Sequence, residues 1–228
     1  MPSCGHRVNS YFRNYKSILR RQTRFSDKEN FMYPKQQSLN ISLIFHTKMK
    51  EKVKALFFYN TLRRWHFQAL LQESGISRER VNHFLKELLK EKFIMRIKNK
   101  GKMPYYLANK ESAKFRSEKR LYGLKLLEQS GLFEGLNTCR GVKTAILFGS
   151  FARGDWGKSS DIDLFIYGED AEFQKGLYEK KLRREIQVFA YQNKNEIKRN
   201  LDPTVIPNIV KGFLITENIE PFEVRVHA

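Results

Sequence analysis

The sequence predicts an α+β protein in two parts: a small helical module ending in a basic hairpin, then a larger domain built on a mixed sheet. Three observations predict it. Between residues 49 and 110 apolar residues recur at helical spacing, then give way to two short strand-like runs. From residue 142 onward strand-like runs alternate with helix-like ones. A composition of 41% hydrophobic and 13% aromatic residues across 228 positions supplies packed cores rather than a disordered chain. No apolar run approaches the roughly 18–20 residues that span a bilayer, so a soluble protein without a membrane partner is expected. Cys4 and Cys139 match no metal spacing and form no disulfide framework, which points to a cytoplasmic setting.

Charge is uneven along the chain. Residues 1–48 hold nine Lys and Arg against two acids, a net +7. Residues 49–110 hold 15 against five, a net +10, and residues 111–228 hold 19 against 17, only +2. A localised basic surface is the usual footprint of a polyanion, although Lys-rich solvated faces give the same excess.

The first segment, 1–48, shows no helical or strand period and reads as a basic tail or an over-extended start ahead of Met49; a transit peptide is the weaker alternative. "MKEKVKALFFYNTL" is a helix with Val53, Leu56 and Phe57 on one side, and "WHFQALLQESGIS" a second that Gly75 breaks. Ser77 is the natural N-cap of a third, with Glu79 in its first turn and Val81, Phe84, Leu85, Leu88 and Leu89 as its apolar stripe. "FIMRIKNKGKMPYYLA" then reads as two strands around a turn at Asn99-Lys100-Gly101.

This order resembles the winged helix-turn-helix domains of prokaryotic transcriptional regulators over residues 49–110, by pattern rather than by an invariant motif. The resemblance implies that Arg78, Arg80, Asn82, His83 and Lys86 face duplex DNA from the third helix. Arg96, Lys98, Lys100 and Lys102 would meet phosphates from the wing. Modules of this kind also serve in dimerisation or protein docking.

Residues 111–228 form the second domain, opened by an amphipathic linking helix over 111–130. "VKTAILFGS" is a buried strand, "SDIDLFIYG" a second, "DAEFQKGLYEKKL" a helix, and "REIQVFAYQ" a third strand; the tail adds a helix or two and short edge strands.

Asp161 and Asp163 interrupt the second strand. Residues two apart share a face, so both acids point one way while Ile162, Leu164 and Ile166 enter the core. Paired carboxylates repel unless a cation sits between them, and hard oxygen ligands at this spacing suit Mg²⁺ with substrate phosphates. Upstream, Gly149-Ser150 ends one strand and opens a short helix. Glycine admits a phosphate to the backbone, the amides and the Ser150 hydroxyl donate to it, and Arg153 adds positive charge one turn on. Trp156, between the two halves, reads as a locally packed side chain.

Gly149-Ser150, ten residues, then Asp161-x-Asp163 resembles the signature of the polymerase-β-type nucleotidyltransferase superfamily. The fuller "GSFARGDWGKSSDIDLFI" is closest to the minimal nucleotidyltransferases of prokaryotes and archaea, a group that includes antitoxins paired with small helical toxins. The resemblance implies an α+β domain with a mixed sheet that takes a nucleoside triphosphate, ATP first among them, and Mg²⁺. It places Asp161 and Asp163 on the metal and in catalysis, and Gly149, Ser150, Arg153 and Ser160 on the nucleotide. The family's third carboxylate falls on the following strand. Here Gln187 occupies that position, and Glu185 lies on the same face one pleat repeat away, about 6.6 Å.

Two functions stay open on these residues. One is a Mg²⁺-dependent transferase of nucleoside monophosphate to a protein, nucleic-acid or small-molecule hydroxyl, with an antitoxin-like role beside a partner toxin. The other is a DNA-binding regulator whose transferase fold only senses nucleotide. A dimer fits either.

Overall fold

In a computed structural model of the chain the described residues are 36–222, with side chains from 45 onward. Residues 1–35, the larger share of the expected tail, lie outside them, as do 223–228. The chain divides into Met1–His46 and Thr47–Ala228. In the first unit the described residues, 36–46, belong to the start of helix α1 (Gln36–Tyr59). The helix therefore begins well before Met49. Residues 36–48 contain neither glycine nor proline to stop it, and their mixed polar and β-branched residues carry too weak a period to announce it.

In the second unit the remainder of α1 buries Val53, Leu56, Phe57 and Phe58. Helix α2 (Phe67–Ser74) ends at Gly75, whose φ of 60° and N–H to the Leu71 carbonyl make a left-handed C-cap. Helix α3 (Arg78–Lys90) buries Val81, Phe84, Leu85 and Leu88 of the expected stripe and leaves its fifth member, Leu89, half-buried. Ser77 holds the N-cap position in extended conformation, and its hydroxyl meets the Glu79 carboxylate. Strands β1 (Ile94–Ile97) and β2 (Tyr105–Ala108) form an antiparallel hairpin.

Trp65 departs from expectation. It stands outside α2, exchanging backbone hydrogen bonds of 2.9 and 2.8 Å with Tyr106 as a third rung on the hairpin. Its fully buried ring lies under the Arg63 guanidinium at 3.9 Å. The apolar spacing of Phe67, Leu70 and Leu71 extends back to Trp65 in sequence, but the backbone there is satisfied across the hairpin rather than along a helix.

Helix α4 (Ala113–Gln129) starts at Ser112, whose hydroxyl accepts the Phe115 N–H at 3.4 Å. Its buried face repeats every four residues through Phe115, Lys119, Gly123 and Leu127. A short helix, α5 (Leu132–Thr138), follows unannounced by the sequence, too brief to show a period. Then come β3 (Val142–Phe148), α6 (Gly149–Arg153), β4 (Ile162–Gly168), α7 (Lys175–Leu182), β5 (Ile186–Tyr191), α8 (Lys194–Asn200), α9 (Ile206–Val210) and β6 (Phe213–Leu214). The sheet order is β5-β4-β3-β6, with β4 and β5 parallel and the other pairs antiparallel.

Both sheet faces are covered. Ala145, Leu147, Ile162, Leu164, Ile166 and Ile186 face a core that runs continuously into the helical part of the unit. Phe58 joins them up, its ring 5.6 Å from Phe93, 5.5 Å from Phe115 and 5.2 Å from Tyr122. Burying such a side chain contributes on the order of 1.5–3 kcal/mol. On the opposite face Ile146, Phe148, Phe165, Tyr167 and Tyr191 pack with Leu201 and Ile209 beneath α8 and α9. Among the described residues no helix is long and apolar enough to cross a membrane.

Candidate functional site

Asp163 lies on the face that α8 and α9 cover, in alternation with Phe165 and Tyr167, but at the end of β4 where only part of its surface is shielded. Its neighbours in register are Phe148 on β3 and Gln187 on β5. Immediately after Phe148 the chain turns left-handed at Gly149, with φ of 68°. A Cβ built on Gly149 would overlap the Asp163 carboxylate. Glycine is required there twice over, by conformation and by space.

Partial burial and the nearby Asp161 carboxylate push the Asp163 pKa upward, against the Arg153 charge and a hydrogen bond from the Ser150 backbone. The Ser150 amide is thus turned onto Asp163. Arg153 is exposed at the end of the five-residue α6, where its Nε donates to Asp155 Oδ2 at 3.1 Å. Ser160 shapes the loop: its Oγ accepts the Gly157 N–H at 2.7 Å and its carbonyl accepts from Arg184.

Gln187 is exposed, and its Nε2 donates to Asp161 Oδ2 at 3.1 Å. The strand carrying Gln187 therefore does lie beside the paired acids, in register with Asp163. Glu185 is also exposed; its carbonyl, just ahead of β5, accepts the Ile162 N–H at 3.0 Å.

The loop between the motif halves rests on Trp156, packed locally as expected, and on two cations the sequence did not single out. Trp156 is fully buried, stacked on Phe151 at 5.2 Å and 8°, with its Nε1 donating to the Lys119 carbonyl at 3.3 Å. The Arg184 guanidinium donates to the Gly157 and Ser160 carbonyls at 2.9 and 2.7 Å, and lies 5.5 Å from the Trp156 ring. Lys119 is almost wholly buried with its ammonium 4.9 Å from the same ring. Burial pushes its pKa down to about 8, and Asp155 only partly counters this. Nothing in "KRL" or "LRRE" separates these two cations from the many solvated ones, so no local signal marks them.

The donor set fits a divalent cation: two hard carboxylates on one strand end, with a glycine cleared of any Cβ beneath one of them. Asp161 and Asp163 are the residues that would hold it.

The basic residues of the helical part stand on α3 and the hairpin. Arg78, Asn82 and Lys86 are exposed on α3, and Arg96, Lys98, Lys100 and Lys102 are exposed on the hairpin. Arg80 and His83 have partners: Arg80 Nη1 reaches Met49 Sδ at 3.2 Å, and His83 Nε2 lies 3.2 Å from Glu87 Oε1. Glu87 is paired in turn with Lys50 of α1 at 2.8 Å.

The site is thus a glycine-fitted acidic strand end on the mixed sheet of an α+β domain. The family model of the nucleotidyltransferase domain matches residues 130–217, which hold every element from α5 to β6 together with Asp161, Asp163 and Glu185. No curated protein matches the chain, and neither does any solved structure.

Proposed function

We propose that the chain is a Mg²⁺-dependent nucleotidyltransferase that takes a nucleoside triphosphate, ATP foremost, and passes the nucleoside monophosphate to an acceptor hydroxyl. The observation that carries this is the Asp163 carboxylate seated over Gly149 with Asp161 beside it, inside the segment that matches the family. The acceptor hydroxyl gives up its proton to solvent as its oxygen attacks the α-phosphorus, the bond from that phosphorus to the oxygen bridging to the β-phosphate breaks, and pyrophosphate leaves. A bound divalent cation supplies charge neutralisation for the phosphates. Asp161 and Asp163 bind and orient, while Gly149 and Arg153 give the phosphates room and positive charge. Ser160 holds the intervening loop in shape. The acceptor is a protein side chain, a nucleic-acid end or a small molecule, and an antitoxin-like role beside a partner toxin in the cytoplasm is consistent with the fuller motif.

The test is incubation of the chain with labelled ATP, Mg²⁺ and whole-cell lysate, against the Asp161→Asn/Asp163→Asn double variant. Label transferred by the wild type and lost in the variant supports the reading; undiminished Mg²⁺-ATP binding by the variant in calorimetry sinks it.

A second reading has its own observation. Gln187 donates a hydrogen bond where a base would accept a proton, which favours a regulator that binds nucleotide and turns it over slowly or not at all. On either reading we take residues 49–110 as a winged helix-turn-helix module binding duplex DNA, alone or as a dimer. Three helices, a hairpin and the Trp65 rung, with exposed cations on α3 and the hairpin, support this.

A further inference from the structure

We infer that the Asp161/Asp163 site holds a single divalent cation, because the strand beside Asp163 presents the Gln187 amide where a further carboxylate would be needed to hold a second; this rests on the nucleotide-binding reading above. Two strands flank Asp163. On β3 its neighbour is Phe148, and on β5 it is Gln187, so neither side offers a further carboxylate in register. The next residue on the Gln187 face is Phe189, whose ring packs 5.4 Å from Phe148.

Gln187 adds no charge to the site and at most one neutral oxygen. Its Nε2 donates to Asp161 Oδ2 at 3.1 Å, which directs N–H groups, not the amide oxygen, at the acidic pair. The opposite orientation would set an amide oxygen against a carboxylate oxygen, two acceptors with no proton between them. A cation cannot coordinate an N–H donor. That hydrogen bond also engages one of the Asp161 oxygens. With the Ser150 amide likewise on Asp163, the two carboxylates keep lone pairs enough for one cation completed by water and phosphate.

The amide does a second job when no cation is bound. From β5 its hydrogen bond ties down Asp161, one of the two repelling carboxylates, without adding charge. The site is thereby kept in shape for nucleotide, while position 187 offers no group that takes up an acceptor's proton. Glu185 does not supply the missing ligand on this reading. It precedes β5, and the residue in register with Asp163 is Gln187.

The experiment counts metal on the full-length chain. Mn²⁺ is titrated in the presence of saturating α,β-methylene-ATP, with free Mn²⁺ followed by electron paramagnetic resonance and heat by calorimetry. One Mn²⁺ per chain–nucleotide complex is expected for the wild type and for Glu185→Gln, and two for Gln187→Glu. Gln187→Asp, checked by circular dichroism, stands in if the first variant folds poorly. Two Mn²⁺ in the wild type would overturn the inference and leave the nucleotide-binding reading intact. A fall from two to one in Glu185→Gln would identify Glu185 as the ligand instead. A count that stays at one in a folded Gln187→Glu or Gln187→Asp would remove Gln187 from the explanation. No Mn²⁺-dependent retention of the analogue by any variant would overturn both readings.

Discussion

Gly149 and Asp163 are in such close contact that the carboxylate of one fills the space where the other would carry a Cβ. The contact links the turn after β3 to the acid on β4, and φ of 68° at Gly149 makes that turn unfavourable for any other residue. Gly149→Ala should lower stability by roughly 1–2 kcal/mol from backbone strain. It should also displace Asp163, so Mg²⁺-ATP affinity in calorimetry falls by far more than the modest drop in melting temperature explains. Unchanged affinity would show that the Asp163 position is not the one used.

Asp163→Asn should stabilise the metal-free chain. The Asp163 pKa is raised above 3.8, by burial first and Asp161 second, so its charged form is less favourable in the folded chain than in the unfolded one. That destabilisation is absent at low pH and sets in as pH rises through the folded-state pKa. The melting-temperature gap between Asp163→Asn and wild type should therefore widen from pH 3 to pH 7 and close again when Mg²⁺-ATP is added. A gap that is constant with pH contradicts the electrostatic account.

Gln187→Glu should raise nucleotidyl transfer. A carboxylate in register with Asp163 can accept a proton, and a positioned base is worth on the order of 10²–10⁴ in rate. Transfer of label from ATP to acceptor measures it. If Glu185 already fills that role, Glu185→Gln abolishes transfer and Gln187→Glu adds little.

Lys119 titrates in the opposite direction to an acid. Its pKa is lowered from 10.5 to about 8, so the folded chain disfavours the ammonium. The cost is present in full below pH 8 and is relieved as pH rises toward 10.5. Lys119→Met, which keeps the length and loses the charge, should gain about 1 kcal/mol or more at pH 7. The difference from wild type should shrink between pH 8 and pH 10, as thermal melts of both proteins would show.

Duplex DNA should bind residues 49–110 with a log–log salt slope of about −0.9 per phosphate contacted. Lys98→Ala with Lys100→Ala should weaken all sequences alike, since both side chains are exposed on the hairpin. Asn82→Ala should alter sequence preference, and His83→Ala should do so less, because His83 is paired with Glu87. A response flat in salt, or no binding at low salt, assigns this part of the chain to protein docking.

Much of this was legible in the residues alone because the signals are local. The stripe of Val81, Phe84, Leu85 and Leu88, the alternation that puts Asp161 and Asp163 opposite Ile162 and Leu164, and the Gly149-Ser150 spacing all depend on helix and strand periods. Those periods are properties of the backbone, and a sequence displays them directly. Three features waited for the tertiary structure. Trp65 left its expected helix because its hydrogen-bonding partner, Tyr106, is distant in sequence. Arg184 and Lys119 became the supports of the motif loop through contacts with Gly157, Ser160 and Trp156 that no spacing encodes. The direction of the Gln187 amide was decided only when parallel pairing of β4 and β5 set it beside Asp163 and within reach of Asp161. A side chain's period is written in its neighbours along the chain, but its hydrogen-bond partner is chosen by whatever the fold brings within about 3 Å.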